Sequence, residues 1–578
     1  MHEKEREFFL ESLFVPFTTL KAVYVIVIVG FIVFGNMLFN SFVWDDFKFI
    51  ITVSQTNGLT LSTLFGESIF NSVGFYRPIT GLYFHIVYAI FKNTTFFYHL
   101  IQLSIHIFNA YLVFYLFSKF LKKELSFFLS LIFLIHPISV ESVSYISAVP
   151  DILFFAFGMS ALILSLSLKG NFTIRRISLI FLLLLLSVFS KEAGFLFILL
   201  ILLYKILLDR KNFPFFLFII AGVSLLYIFT RFAVAGVHVE RLPFIPIASL
   251  SLFERILNIP AIFFYYIKTF FLPLQLSVYQ QWVIKDFDIS SFYFPSLIIL
   301  IFMTLILLLG LRFFKANKQN FYTLLFFFGW LIAGFIIHAQ IVPLEMTVSD
   351  HWFYSPIVGL LGIIGLGIGP LGGKIKVNIQ ILYMLFYILL VLLGFRTMLR
   401  NTNWVNNLTL FSHDIKTSDN FALQNELGVE YMKIKNYDLA LKYFEKSAKL
   451  YPYETNLFNI GHTYSFKGDL EKAEDYYYKA INAKKYPENL RKIIILVVYE
   501  SLAAVLILQD DPKAKDFIND SLRDNPNSIK LIAESALLEY RLGNHKEALD
   551  KAKQAYEIFP NQITEGIYKK LLNNEEID

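Results

Sequence analysis

Two adjacent carboxylates, in Phe42-Val43-Trp44-Asp45-Asp46, follow an apolar run directly, where a membrane would meet water. A carboxylate at the edge of an apolar cavity can have its pKa raised toward neutrality, which suits a general base. The same pair also suits a solvated helix cap. Next comes Tyr76-Arg77-Pro78-Ile79-Thr80. Pro78 fits a first helical position, and Arg77 just before it can reach a phosphate near the membrane plane or rest as a snorkelling side chain. His136-Pro137-Ile138-Ser139-Val140-Glu141 leads on to Val149-Pro150-Asp151 with little else charged. His136 and Glu141 are spaced i, i+5, poorly for a metal pair. No metal site is expected there, and a wall that hydrogen-bonds sugar hydroxyls fits better. In Ser190-Lys191-Glu192-Ala193-Gly194, two charges interrupt an apolar stretch. Lys191 could be a point charge for a phosphate, or both could mark a tight turn. Asp350 and His351 stand among interfacial aromatics before another apolar run.

These residues need apolar elements to position them. Of the 578 residues, 56% are hydrophobic and only 17% charged, against about 25% charged in soluble globular chains. The charge is concentrated after residue 400. A wholly soluble protein, a disordered chain and a collagen-like fibre are excluded. The absence of cysteine removes disulfides, thiolate metal sites and cysteine nucleophiles. The net charge of +6 arises from short basic loops between apolar runs, a membrane-topology footprint rather than a nucleic-acid-binding one.

Runs long enough to cross a bilayer lie at 22–40, 98–120, 126–140, 152–168, 177–190, 193–209, 214–230, 295–313, 322–341, 354–372 and 378–396. About eleven spans are therefore expected, the first of them retained rather than cleaved. Basic residues fix orientation: Lys122 and Lys123; Lys169, Arg175 and Arg176; Lys205, Arg210 and Lys211; Arg312, Lys315 and Lys318; Lys374 and Lys376. All fall on one side if the N-terminus is cytoplasmic. The chemistry-bearing segments and everything after 397 then share the opposite face. Segment 79–93 is too short to cross and reads as an interfacial helix; 256–276 reads as re-entrant or interfacial. An acidic pair, a basic pair and a polar wall on one face suit a lipid-anchored phosphosugar, its tail in the bilayer and its sugar outside.

The soluble tail repeats itself. Leu427, Gly428, Tyr431, Ala440, Phe444 and Pro452 match the tetratricopeptide spacing, and Gly461, Tyr464, Ala473, Tyr477 and Ala480 follow it. A degenerate third copy has Ala514, Phe517 and Pro526; a fourth has Ala548, Ala555 and Pro560. The expected organisation is a membrane domain at 1–400, a linker at 401–420, about four repeats at 421–562 and a tail at 563–578.

The order of these motifs resembles the GT-C superfamily of polyprenol-dependent glycosyltransferases. More closely, it resembles the transmembrane-and-tetratricopeptide O-mannosyltransferase family. The strings that carry the likeness are Val43-Trp44-Asp45-Asp46, Tyr76-Arg77-Pro78-Ile79-Thr80, His136-Pro137-Ile138-Ser139-Val140-Glu141, Ser190-Lys191-Glu192 and Tyr354-Ser355-Pro356, completed by the repeats. His351-Trp352 stands where an acidic residue and an arginine would be expected.

The resemblance implies an all-α fold: a polytopic GT-C-type helical domain followed by an α-solenoid. It implies transfer of a sugar, typically mannose, from a polyprenyl-phosphate donor to Ser or Thr hydroxyls of a protein, with inversion. Asp45 or Asp46 would be the base, and Arg77 and Lys191 would hold the phosphate. His136, Glu141, Asp151, Glu192, Asp350 and His351 would position sugar and acceptor. Membrane lipid, the lipid-linked donor and an acceptor protein held at the repeats would be the partners. A divalent metal is compatible with such a site but is not predicted. Lean loops and absent cysteine point to a prokaryotic plasma membrane with the repeats outside, or to an endoplasmic reticulum in a eukaryote. Two other functions fit the same residues: a GT-C enzyme acting on a lipid or polysaccharide, and a non-catalytic scaffold that recruits partners through its repeats.

Overall fold

The computed structural model describes residues 18–55, 59–66, 74–167, 173–210, 213–238, 245–368, 379–486, 488–573 and 575. Residues 1–17, Lys169, Lys211, Lys374 and Lys376, used above for topology, lie outside the described residues. The chain divides into two compact units, Met1–Glu240 with Leu250–Thr417, and Arg241–Ser249 with Ser418–Asp578. The architecture is all-helical, and among the described residues β pairing is confined to one bridge between Gln280 and Val348.

The helices of the first unit are α1 (Thr19–Phe34), α2 (Asp46–Gln55), α3 (Leu61–Phe65), α4 (Pro78–Phe91), α5 (Thr95–Phe117), α6 (Lys123–Ile135), α7 (Val140–Ser144) and α8 (Val149–Leu166). They continue as α9 (Ile174–Ser190), α10 (Phe195–Leu207), α11 (Phe213–Phe229), α12 (Leu252–Phe271), α13 (Phe294–Ala316), α14 (Lys318–Ile336), α15 (Pro356–Ile368), α16 (Ile379–Asn403) and α17 (Asn407–Asp414). Among the described residues, seven helices are long and apolar enough to cross a membrane, or eight if the bent pair α6–α7 is one span. The remaining apolar runs became shorter helices: 17 residues in α9, 13 in α10 and 13 in α15. The segment expected at 79–93 is α4, whose 14 residues are too short to cross. The segment at 256–276 falls largely in α12, which a Ser251–Glu254 capping box starts. Its Ala261, Ile262, Tyr266 and Phe270 face the interior.

The bend between α6 and α7 is 48° and has an identifiable cause. Pro137 lacks an N–H and breaks the helical ladder. Carbonyls near the break take side-chain partners instead. His106 Nε2 lies 2.8 Å from the Leu134 oxygen, and Thr397 Oγ1 donates to the Ile135 oxygen at 2.6 Å. Backbone groups at membrane depth must find such partners within the protein.

The boundary differs from the expected one. Residues 401–417 are not a linker; they pack into the first unit. Asn401, Trp404 and Asp414 are buried, and Asn401 Oδ1 accepts from Ser144 Oγ at 2.7 Å. These side chains are polar enough to look like a connector, yet their hydrogen bonds are spent inside the fold.

In the second unit, helix pairs form the repeats: α18 (Phe421–Lys433) with α19 (Tyr437–Leu450), α20 (Glu454–Lys467) with α21 (Leu470–Asn482), α22 (Glu488–Leu508) with α23 (Ala514–Asp524), and α24 (Ile529–Arg541) with α25 (His545–Ile558). The expected tail contains a further helix, α26 (Gln562–Leu572). Small residues set the approach within a pair. A Cβ on Gly428 would stand 2.6 Å from the Phe444 ring, and one on Gly461 would stand 2.9 Å from Tyr477.

Candidate active site

A short polar connection, residues 136–151, runs between α6 and α8 and gathers the candidate residues around itself. It reaches the acidic pair through Tyr145 and Ser147, the segment before α15 through Glu141, and the turn after α9 through Asp151.

The backbone separates the two adjacent aspartates. Trp44 has φ +53°, a left-handed conformation that costs a bulky residue about 1–3 kcal/mol. It is held there by Asn407 Oδ1, which accepts the Trp44 N–H at 2.8 Å, and by stacking on Tyr145 at a centroid distance of 5.1 Å. After this turn Asp46 points inward. It is fully buried and accepts from Val43 N at 3.0 Å, Ser147 N at 2.8 Å and Ser147 Oγ at 2.6 Å. Burial pushes its carboxyl up to about 7 against these bonds. Asp45 points outward and is exposed. It accepts a long hydrogen bond from Tyr145 Oη, at 3.4 Å. Protein crowding its other sides raises its carboxyl as well.

Arg77 and Arg231 share one carboxylate. Arg77 Nε is 3.0 Å and Arg231 Nη1 is 3.2 Å from Glu192, which also accepts the Tyr76 N–H at 3.0 Å. Burial opposes ionisation of Glu192, but Arg77 and the Tyr76 N–H outweigh it and hold the carboxyl below its usual range. Two guanidinium groups on one carboxylate leave a net positive charge. Lys191 differs. Its Nζ is buried and donates to both oxygens of Asp151, at 2.7 and 2.9 Å, a neutral pair. The two cations expected on one phosphate thus each have a carboxylate partner, Arg77 in Glu192 and Lys191 in Asp151. His338, stacked on Trp352, sits close enough to feel both charges.

Glu141 is buried and accepts from Ser349 Oγ at 2.8 Å and from the Asp350 N–H at 2.9 Å, with His351 Nδ1 at 2.8 Å. Tyr265 Oη donates to Asp350 at 2.6 Å. Burial and then the neighbouring Glu141 push Asp350 well above the usual carboxylate range. A carboxyl held neutral in this way can donate a hydrogen bond. Beyond it, Arg400 binds Asp414 through two nitrogens, at 2.5 and 2.9 Å, both groups buried. His136 stands apart. It accepts the Ile138 N–H at Nδ1, so Nε2 carries the proton and donates to the Phe270 carbonyl at 2.8 Å. Both ring nitrogens serve the fold, and the ring stacks on Phe270.

Among the described residues, no group of three or more His, Asp or Glu is arranged to hold a metal ion. Sequence reasoning missed Arg231, Arg400, Asp414, Asn407, Tyr145 and His338. Only Arg231 carried a usable signal, as a lone charge at the end of the apolar run 214–230.

The tetratricopeptide repeat family matches residues 422–454 and 455–486, within the first two helix pairs. Among curated proteins, the chain is 26% identical over 410 residues to the protein O-mannosyl-transferase F38B6.6 of Caenorhabditis elegans, covering 67% of this chain and 56% of that one. It is 22% identical over 519 residues to the protein O-mannosyl-transferase TMTC3 of Homo sapiens, covering 81% of this chain and 56% of that one. The chain thus spans about half the length of the curated relatives it matches. Among solved structures, the oligosaccharyltransferase of Archaeoglobus fulgidus, crystallised with a tethered acceptor peptide, aligns with a TM-score of 0.40 and 15% identity, over 76% of this chain and 60% of that one.

Proposed function

We propose that the chain, similar in sequence to protein O-mannosyl-transferases of Caenorhabditis elegans and Homo sapiens, is a multi-pass membrane enzyme of the GT-C type that transfers a sugar from a polyprenyl phosphate to protein hydroxyls. The observation that carries this reading is the hub at 136–151. It contacts the exposed Asp45 through Tyr145, Lys191, the chain neighbour of the net-positive Arg–Glu–Arg group, through Asp151, and the neutral-acid wall through Glu141.

Asp45 takes the proton of a Ser or Thr hydroxyl as that oxygen attacks the anomeric carbon. The bond from that carbon to the phosphate oxygen breaks, and its electron pair leaves on the phosphate. A single displacement inverts the anomeric centre. Asp46 does not touch substrate in this scheme; it and Asn407 fix the turn that aims Asp45. Arg77, with Arg231, stabilises charge growing on the phosphate, the electrostatic contribution that is usually largest in catalysis. Lys191 and Asp151 hold α8 and α9 in place beside it. Glu141, Asp350 and His351 orient sugar and acceptor. Mannose is the sugar the relatives' names favour. The active face is extracytoplasmic and the repeats present the acceptor there. An endoplasmic-reticulum-type membrane fits the animal relatives, and the prokaryotic plasma membrane gains no support from them.

The test is incubation of purified protein in lipid with a panel of polyprenyl-phosphate sugars and Ser/Thr-rich peptides, read by mass spectrometry. A hexose added by the wild type and absent with Asp45→Asn is expected. No transfer from any lipid-linked donor would overturn the proposal.

A further inference from the structure

The repeats carry a carboxylate that ordinary folding does not explain. Glu534, in α24, is 9% exposed, and no hydrogen bond or ion pair to it is found among the described residues. Buried carboxylates are normally paired, because an uncompensated one is among the most destabilising features a fold can hold.

Its register is informative. In the first helix of each repeat, one residue packs against the second helix: Gly428, Gly461, Leu502 and Ala536, all buried. Two residues earlier on an α-helix is about 200° round the axis, so that position faces away from the second helix. It holds Glu426, Asn459, Glu500 and Glu534. The first helices α18, α20, α22 and α24 pack on one another in sequence, which makes theirs the inner row of the array. Side chains on that row meet across it. Asn459 Nδ2 donates to Asn425 Oδ1 at 2.9 Å, and Ser528 Oγ donates to Glu500 at 2.8 Å. The charged groups facing Glu534 are Lys530, one turn back on α24 and exposed, and Glu500 on α22. His462 on α20 senses the same lysine.

We propose that the inner row is a binding site for an extended peptide bearing a basic side chain, with Glu534 and Glu500 receiving that lysine or arginine. The amides of Asn425 and Asn459 offer the donor–acceptor pair that a peptide backbone needs. A cation arriving at Glu534 supplies the partner the fold withholds and makes a charge-assisted bond. Burial raises the free Glu534 carboxyl to about 8. Binding a cation must therefore expel its proton, and affinity for a basic peptide rises with pH between about 6.5 and 9. This deepens the reading above, in which the repeats present an acceptor; it narrows that acceptor to hydroxyl-bearing segments with a basic neighbour.

The experiment uses the full chain in nanodiscs and a fluorescein-labelled Ser/Thr-rich peptide with a central lysine pair, beside its glutamine and glutamate counterparts. The lysine peptide is expected to bind about tenfold more tightly than the glutamine one, the magnitude of one charge-assisted contact. Glu534→Gln should erase that preference. Glu471→Gln, on an exposed second-helix position, should keep it. Glutamine at 534 matches the protonated native side chain in size and charge, and circular dichroism checks that the repeats remain folded. Glu500→Lys provides a second reading by reversing the preference toward the glutamate peptide. Equal binding of the three peptides by the wild type, or an unchanged preference in folded Glu534→Gln, overturns the proposal. Binding is measured without any sugar donor. Lysine preference without transfer therefore rejects the catalytic scheme alone, and transfer without lysine preference rejects this site alone.

Discussion

Both units hold most of their buried carboxylates firmly, and each also has a carboxylate with little hold on it. In the membrane unit four deeply buried carboxylates are held by several contacts. Asp46 has three, Glu141 has backbone and side-chain donors from 349–351, Asp151 has both contacts of Lys191, and Asp414 has Arg400. In the repeat unit Glu454 and Glu539 are likewise partnered, but Glu534, 9% exposed, has no hydrogen bond or ion pair among the described residues. The difference teaches where to look for function. Next to hydrocarbon an unpaired charge is too costly to keep, so the partnering of a buried group is first of all a requirement of the fold. We propose that the group left with little hold on it, Asp45 in one unit and Glu534 in the other, is the one that meets a substrate.

The sharpest way to break that comparison is to exchange the roles of the two aspartates. Asp45→Asn should lower sugar transfer about a thousandfold, the range for loss of a general base, with thermal unfolding unchanged because the side chain is exposed. Asp46→Asn should lower transfer less and alter the melting temperature more. A larger loss of transfer from Asp46→Asn than from Asp45→Asn would reverse the assignment.

The second test concerns Lys191. As architecture, Lys191→Met should destabilise the membrane unit by about 3–5 kcal/mol, because it leaves Asp151 buried without its cation. The double variant Lys191→Met/Asp151→Leu should recover most of that. Unfolding in detergent measures both. If the recovered double variant still fails to transfer sugar, the lysine has a direct role at the phosphate, and a well-partnered charge is not merely structural here.

Legibility followed the same division. Charges set in apolar surroundings stand out in a sequence, so Asp45, Asp46, Arg77, Glu141, Asp151, Lys191, Glu192 and Asp350 were found, and so was the repeat spacing. Which of two neighbours faces inward was not legible, because it depends on the left-handed turn at Trp44. That turn is held by a residue more than three hundred positions away. Arg400, Asn407 and Asp414 were hidden for a different reason. They lie in or beside the expected linker, where polar residues are unremarkable, and only their partners in the fold identify them. The acidic inner row was obscured by α22, which at 21 residues is longer than the 13 of α24 and shifts the register of the third repeat.

Asn407 makes the next prediction, with a smaller effect. Asn407→Leu removes the acceptor of the Trp44 N–H and loosens the aim of Asp45, which should cost transfer about tenfold, in line with the roughly 1–3 kcal/mol of an unsatisfied donor. Asn407→Asp keeps an acceptor at the same place and should restore most of the rate. Failure of that rescue, with the fold intact, would mean that the turn does not depend on this bond.

The smallest effect is a pH dependence of stability in the repeats. Glu534 has a native pKa of about 8 against 4.5 in an unfolded chain. Between these values the native state keeps a proton that the unfolded state has released. The stability conferred by that proton is complete below about pH 4.5 and is lost as pH rises through about 8. Glu534→Gln cannot lose it. The variant should therefore be the more stable protein at alkaline pH, and the two melting curves should converge as the pH falls. Adding the lysine peptide at high pH should raise the melting temperature of the wild type and leave that of Glu534→Gln unmoved. The glutamine peptide should move neither, since its side chain brings no charge to the carboxylate. If wild type and variant keep a constant separation from pH 5 to 9, Glu534 is not carrying an unpaired charge. The idea that a weakly held carboxylate marks a binding site would then have to rest on Asp45 alone.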